Sequence, residues 1–291
     1  MSMIKTALAE ISSPHRVTED GKLPLQVTSD LGKSALKDQL AELSEEISDL
    51  QRKLYADGRF GILILLQGLD AAGKDSTVRH VFSATNPTGL RVTSFKRPTP
   101  EELSHNFLWR HQSAVPERGM IRIHNRSHYE EVMVVRVHPE FLAHRDIDPD
   151  SADAAFWRRR MQAIEAFERH LSESGTVVLK FWLKHSREEQ RQRFLKRLTD
   201  PEKYWKFAAG DVAERAHWDH YMQVYEDAVV NTSKPFAPWF VVPADDKRYL
   251  RVAVADVVCQ ALKALGVNYP PIDAERREMF EQMTRKLESE A

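Results

Sequence analysis

The sequence predicts an α/β domain: a parallel five-stranded sheet covered on both faces by helices, with a helical excursion before its last strand. Three observations predict it. Several short runs are apolar without alternation, as strands buried on both faces are. Helix-start signals separate them, and strand alternating with helix is the pattern of a parallel sheet covered by helices. The first run opens into a glycine-rich turn and then a helix.

Residues 1–32 show no period and contain Pro14, Gly21, Pro24 and Gly32, which reads as an extended arm or a partly disordered tail. Leu36, Leu40, Leu43, Ile47, Leu50 and Leu54 then recur at steps of 4, 3, 4, 3 and 4, one apolar stripe on a helix. Such a stripe packs on its own domain or forms a short coiled-coil seam, and three heptads are few for the second. The apolar runs Ile62–Leu66, Leu90–Phe95, Met120–His124, Thr176–Leu183 and Trp239–Val242 are the five expected strands. Thr99-Pro100-Glu101-Glu102 and Ser186-Arg187-Glu188-Glu189 have the form of capping boxes, the second opening a helix to about Leu198. Residues 152–171 and 247–265 are also expected to be helical. The main domain is set at 33–270, and 271–291 is a charged C-terminal tail. Residues 199–234, rich in charge and aromatics, read either as a lid over a site or as a solvated helical hairpin.

Composition limits the function. The chain of 291 residues has 42 Lys+Arg against 43 Asp+Glu, so any polyanion site must be a local cluster. Near-neutral charge, with Asp211, Glu214 and Asp219 among the basic and aromatic residues of 203–225, argues against a nucleic-acid binder. One cysteine excludes an intrachain disulfide. With no secretory leader and no run long enough for a membrane-spanning helix, the expectation is a cytoplasmic protein without a membrane partner.

The strongest motif is Gly68-Leu69-Asp70-Ala71-Ala72-Gly73-Lys74-Asp75-Ser76, which fits the phosphate-loop pattern G-x-x-x-x-G-K between strand and helix. Its amides and helix N-terminus form an anion cradle, and Lys74 adds a full charge. The expected phosphate-binding set is therefore Gly68, Ala71, Ala72, Gly73, Lys74, Asp75 and Ser76. Asp75 stands where a magnesium-binding Ser or Thr is expected, and Asp70 is an unusual acid within the loop. A carboxylate there needs a cation beside it, so Asp70 is the leading candidate to organise Mg²⁺, the alternative being a hydrogen bond that shapes the loop. After the third strand, Asn125 occupies the position of a metal-organising acid, Arg126 can clamp phosphate oxygens, and Glu130 can supply the missing acid. The plainer alternatives are Asn125 as a turn residue and Glu130 as a solvated first-turn helix residue. The spacing of His124, His128 and His138 does not fit a zinc site.

These residues resemble the family-2 polyphosphate kinases. The likeness runs through Gly68–Asp75, Ser94-Phe95-Lys96-Arg97-Pro98-Thr99-Pro100-Glu101-Glu102-Leu103, Asn125–Glu130, Val134–His138, Asp200–Lys206 and Pro243–Lys247, and covers roughly residues 33–265. It implies a thymidylate-kinase-like fold with a helical lid, and Mg²⁺-dependent transfer between inorganic polyphosphate and AMP, ADP or ATP. It also implies association as dimers or tetramers. One subgroup of the family carries Asp at the position of Asn125 and often Trp at that of His128. The version here resembles the subgroup that phosphorylates both AMP and ADP. By motif position the resemblance implies Asp70, Lys74, Asn125, Arg126 and Glu130 as catalytic, with Asp70 and Glu130 at the metal. Arg126, Arg187, Arg191, Arg193, Lys203 and Lys206 are implied as phosphate contacts. An ATP-dependent nucleoside monophosphate kinase shares the loop and lid and differs in its donor. A nucleotide-binding regulator without turnover is disfavoured because Lys74, Asp70 and Arg126 are all present.

Overall fold

The structure, a computed structural model, describes residues 3–290. Five parallel strands, β1 Gly61–Gln67, β2 Leu90–Ser94, β3 Ile121–Asn125, β4 Thr176–Lys184 and β5 Trp239–Pro243, lie in the order β2-β3-β1-β4-β5. The principal helices are α1 Met3–Ala9, α2 Lys33–Asp57, α3 Lys74–Val81, α4 Ala154–Glu173, α5 Arg187–Thr199, α6 Trp218–Thr232, α7 Lys247–Ala264 and α8 Ala274–Glu288.

Every residue of β1 is buried. Ile62, Ile64 and Leu66 face the layer that includes α2 and α7, while Leu63 and Leu65 face the layer that includes α4 and α6. Each such side chain contributes about 1.5–3 kcal/mol by leaving water. Register sets Leu66 beside Asn125 and Gln67 beside Trp182, so β1 and β3 end within one residue of each other and β4 runs two residues further, to Lys184. Ligands of open parallel sheets bind at this carboxyl edge. The α2 stripe packs within the domain: Leu36, Ile47 and Leu54 are buried.

Residues 3–17 differ from the expected arm. Ile4, Ala7, Leu8 and Ile11 join the core. Residues 15–17 then run antiparallel along β5, with Val17 N–H donating to Trp239 (3.0 Å) and Val241 N–H to His15 (2.8 Å). An edge strand leaves unpaired backbone groups, and this segment covers them. A seven-residue helix is too short to show a period. Residues 199–234 are largely helical, as Pro201–Lys206, Ala209–Ala213, Glu214–His217 and α6. Helix α8 is exposed along its whole length.

Candidate active site

The turn from β1 into α3 has Gly68, Ala71 and Gly73 at positive φ (152°, 65° and 105°). Gly68 is required: a Cβ there would lie 2.8 Å from the Leu183 carbonyl. Every carbonyl from Gly68 to Gly73 has a partner. The Lys74 ammonium donates to Gly68 (2.5 Å) and Leu69 (3.3 Å). His185 and Gln190 donate to Asp70, each at 3.0 Å, and Arg193 donates to Ala71 (2.8 Å) and Ala72 (3.3 Å). The Ser76 and Thr77 hydroxyls donate to Gly73. By contrast, the amides of Asp70, Ala71, Gly73, Lys74, Asp75 and Ser76 meet no acceptor among the described residues. Unpaired amides at a helix N-terminus form a cradle for an anion. Burial, followed by repulsion from Arg126, lowers the Lys74 pKa to about 8.

Opposite the turn, Arg126 follows β3 with a positive φ of 65°. Its amide donates to Leu66 at 3.1 Å, which ties it to β1. Its guanidinium donates to Asp70 (2.7 Å) and to Glu130 (3.3 Å). The cation expected beside Asp70 is thus supplied in part by this arginine. Glu130 holds the Arg126 pKa above its ordinary value, with Asp70 adding to the effect against burial. Burial opposes ionisation of Asp70, but Arg126, Lys74 and Arg197 outweigh it and hold the carboxyl below its usual range. The Gln67 amide, in the orientation that satisfies both its ends, donates to Glu130 at 2.8 Å and accepts from Ser127. Asn125 donates to the Asp75 carboxylate.

Two cavities meet at Arg126. One, of about 210 Å³, is walled by Gly68, Asp70, Gln190, Arg215, Trp218 and Tyr225. The other, of about 540 Å³, is walled by Phe95, Lys96, Arg97, Glu130, Phe141 and Arg145.

Among the distal basic residues, one departs from expectation. Arg193 requires a correction: it is buried, and its five N–H groups are all engaged, by Glu189 and by the carbonyls of Ala71, Ala72, Ala244 and Asp245. It supports the turn from behind and cannot also hold a ligand. Arg191 pairs with Glu188 and Lys203 with Asp200, and neither lines the two cavities. Lys206 lies over the Trp205 ring, and Arg187 donates to the Arg215 carbonyl at 3.5 Å. The sequence did not single out Gln190, Arg145 or Arg215, which line the cavities, or His185, which holds the Asp70 carbonyl. Their signal was position only: His185 and Gln190 follow β4, whose end lies beside the glycine turn.

A cradle of free amides, a buried lysine and an arginine set between carboxylates define a phosphotransferase on the P-loop kinase fold. More particularly, residues 30–269 match the polyphosphate kinase 2 family, and the chain belongs to that family. It is 46% identical over 244 residues to an ADP-polyphosphate phosphotransferase of Rhodopseudomonas palustris, covering 84% of each chain. It is 41% identical over 263 residues to an AMP/ADP-polyphosphate phosphotransferase of Meiothermus ruber, covering 88% of this chain and 94% of that one. The crystal structure of polyphosphate kinase 2 from Arthrobacter aurescens superposes with a TM-score of 0.82 at 40% identity, over 93% of this chain and 98% of that one.

Proposed function

We propose that this protein transfers phosphoryl groups between inorganic polyphosphate and nucleoside mono- and diphosphates, AMP to ADP and ADP to ATP. The observation that carries this is Arg126, held by Asp70 and Glu130 at the point where the amide cradle and both cavities meet. The activities named for the Rhodopseudomonas and Meiothermus relatives support it.

Cavity size supports a division of the substrates. Small-molecule sites occupy about 300–1,000 Å³, so the nucleotide fits the cavity of about 540 Å³. The cavity of about 210 Å³ suits the slimmer polyphosphate end, next to Gly68 and Asp70 and beneath the helical segment read as a lid. Lys96 and Arg97 are then placed for the nucleotide phosphates. The acceptor is a phosphate oxygen, largely ionised near neutral pH, and needs no strong base. Catalysis rests on alignment and on neutralising the equatorial oxygens in an in-line transfer. The glycine-turn amides, Lys74 and Arg126 do this from fixed positions.

Asp70 and Glu130 are also the residues that would hold Mg²⁺. The chemistry fits: this ion takes one or two carboxylates along with substrate phosphates and water, and no larger group of potential ligands exists among the described residues. When bound, the ion would neutralise negative charge on the substrate phosphates. A cytoplasmic homo-oligomer belongs to the same reading. No described helix is long and apolar enough to cross a membrane, and α8 exposes Met279, Phe280, Met283 and Leu287, apolar surface suited to association.

The test is shortening of polyphosphate chains in the presence of Mg²⁺, with and without nucleotide. Chain loss should require AMP or ADP and should fall at least about 100-fold in Arg126→Met. Shortening independent of nucleotide would indicate hydrolysis and contradict the proposal.

A further inference from the structure

The glycine turn has its carbonyls capped and its amides free, and three side chains from one place produce much of that pattern. His185 and Gln190 hold the Asp70 carbonyl, and Arg193 holds those of Ala71 and Ala72. All three are buried and belong to the end of β4 and the start of α5.

A peptide unit is planar, so the N–H of one residue points opposite to the preceding carbonyl. Fixing the Asp70 carbonyl therefore aims the Ala71 amide, and fixing the Ala72 carbonyl aims the Gly73 amide. Both amides are among those without a protein acceptor. The geometry is not one that Ala71 adopts freely. Its φ of 65° lies in the left-handed region, which costs a residue with a Cβ about 1–2 kcal/mol. Outside partners are needed to hold it.

We infer that His185, Gln190 and Arg193 are positioning residues that aim the Ala71 and Gly73 amides at the donor phosphate by holding the carbonyls on the far side of each peptide. Gln190 has a second contact, accepting from Arg215 at 2.8 Å, and Arg215 also donates to the Arg187 carbonyl at 3.0 Å. The amide of Gln190 is thereby oriented: oxygen toward Arg215, nitrogen toward Asp70. The inference rests on the proposed reading of the turn as the donor phosphate site.

Variants at Gln190 separate the two contacts. Gln190→Glu keeps an acceptor for Arg215 and presents no donor to Asp70, whereas Gln190→Met loses both. Calorimetric binding of tripolyphosphate and steady-state kinetics are compared with wild type and with Arg193→Lys, alongside thermal melting. Both Gln190 variants should bind tripolyphosphate about tenfold more weakly and lose kcat, with the nucleotide KM within about twofold of wild type. Arg193→Lys should follow the same pattern, since one ammonium cannot reproduce the fork. Gln190 variants that bind and turn over as wild type does, or that lose only melting temperature, would overturn the inference. If wild type binds no tripolyphosphate, the reading of the turn itself fails, and the inference with it.

Discussion

The Asn125 side-chain amide donates to the Asp75 carboxylate, joining the end of β3 to the first turn of α3. Asp75 takes the position after the loop lysine, where a hydroxyl was expected, and its partner is this amide. An aspartate at 125 would set two carboxylates against each other. The two positions are therefore coupled.

Asn125→Asp should thus have a pH-dependent cost. Like charges raise the folded pKa of the pair above the ordinary carboxylate value of about 4, so the cost is fully present above about pH 5 and fades as pH falls toward about 3. A shift of one unit corresponds to about 1.4 kcal/mol, with less expected here because Asp75 is exposed. Thermal melting relative to wild type from about pH 3 to 7 checks this, and equal losses throughout would contradict it. The variant should also turn acceptor preference toward ADP, measured as the ratio of kcat/KM for ADP and AMP.

Lys74 has its pKa lowered to about 8 by burial and by Arg126. Above that pH the free enzyme loses a charge at the donor site, so kcat/KM for polyphosphate should fall. Stability should move the other way. Between about pH 8 and 10 the unfolded chain holds this proton and the native chain does not, so the contribution of this group to stability rises with pH. Lys74→Ala should lower kcat by about 10²–10³-fold and abolish both trends. A variant with unchanged pH profiles would remove Lys74 from this role.

The sheet was legible because each strand is an unbroken apolar run between turn signals, and the capping boxes marked helix starts. Thr99 and Glu102 form one in full. The core of the site was legible as well: Asp70, Lys74, Arg126 and Glu130 come together as their motif positions imply. Less was legible where function depends on who faces whom. Arg193 and Arg191 sit two residues apart, yet one is buried behind the turn and the other is in solvent. Composition cannot separate them, because the difference lies in which face of α5 meets the turn. The pairing of residues 15–17 with β5 escaped for a related reason: it depends on an edge pairing far away in sequence.

Beneath the site, Lys180 of β4 and Glu168 of α4 form a fully buried ion pair at 2.6 Å. His128 donates to the same carboxylate at 3.2 Å, and Lys180 also donates to Tyr129 and to the Thr232 carbonyl. Burial raises the Glu168 pKa, but Lys180 and His128 outweigh it and the carboxyl stays ionised. Removing one partner leaves a buried charge, so Glu168→Gln or Lys180→Met should each cost about 3–5 kcal/mol. The pair of substitutions together should cost clearly less than their sum. Denaturant unfolding measures this, and additive losses would show that the two charges are not coupled.

In the proposed reaction the donor is polyphosphate and the acceptor a nucleotide, aligned across Arg126. Its most direct test is nucleotide formation from AMP, and separately from ADP, with Mg²⁺ and polyphosphate as the only phosphoryl donor. ADP and ATP should appear in reactions to which no ATP was added. No product from polyphosphate, together with ADP formed from ATP and a nucleoside monophosphate, would contradict the claim.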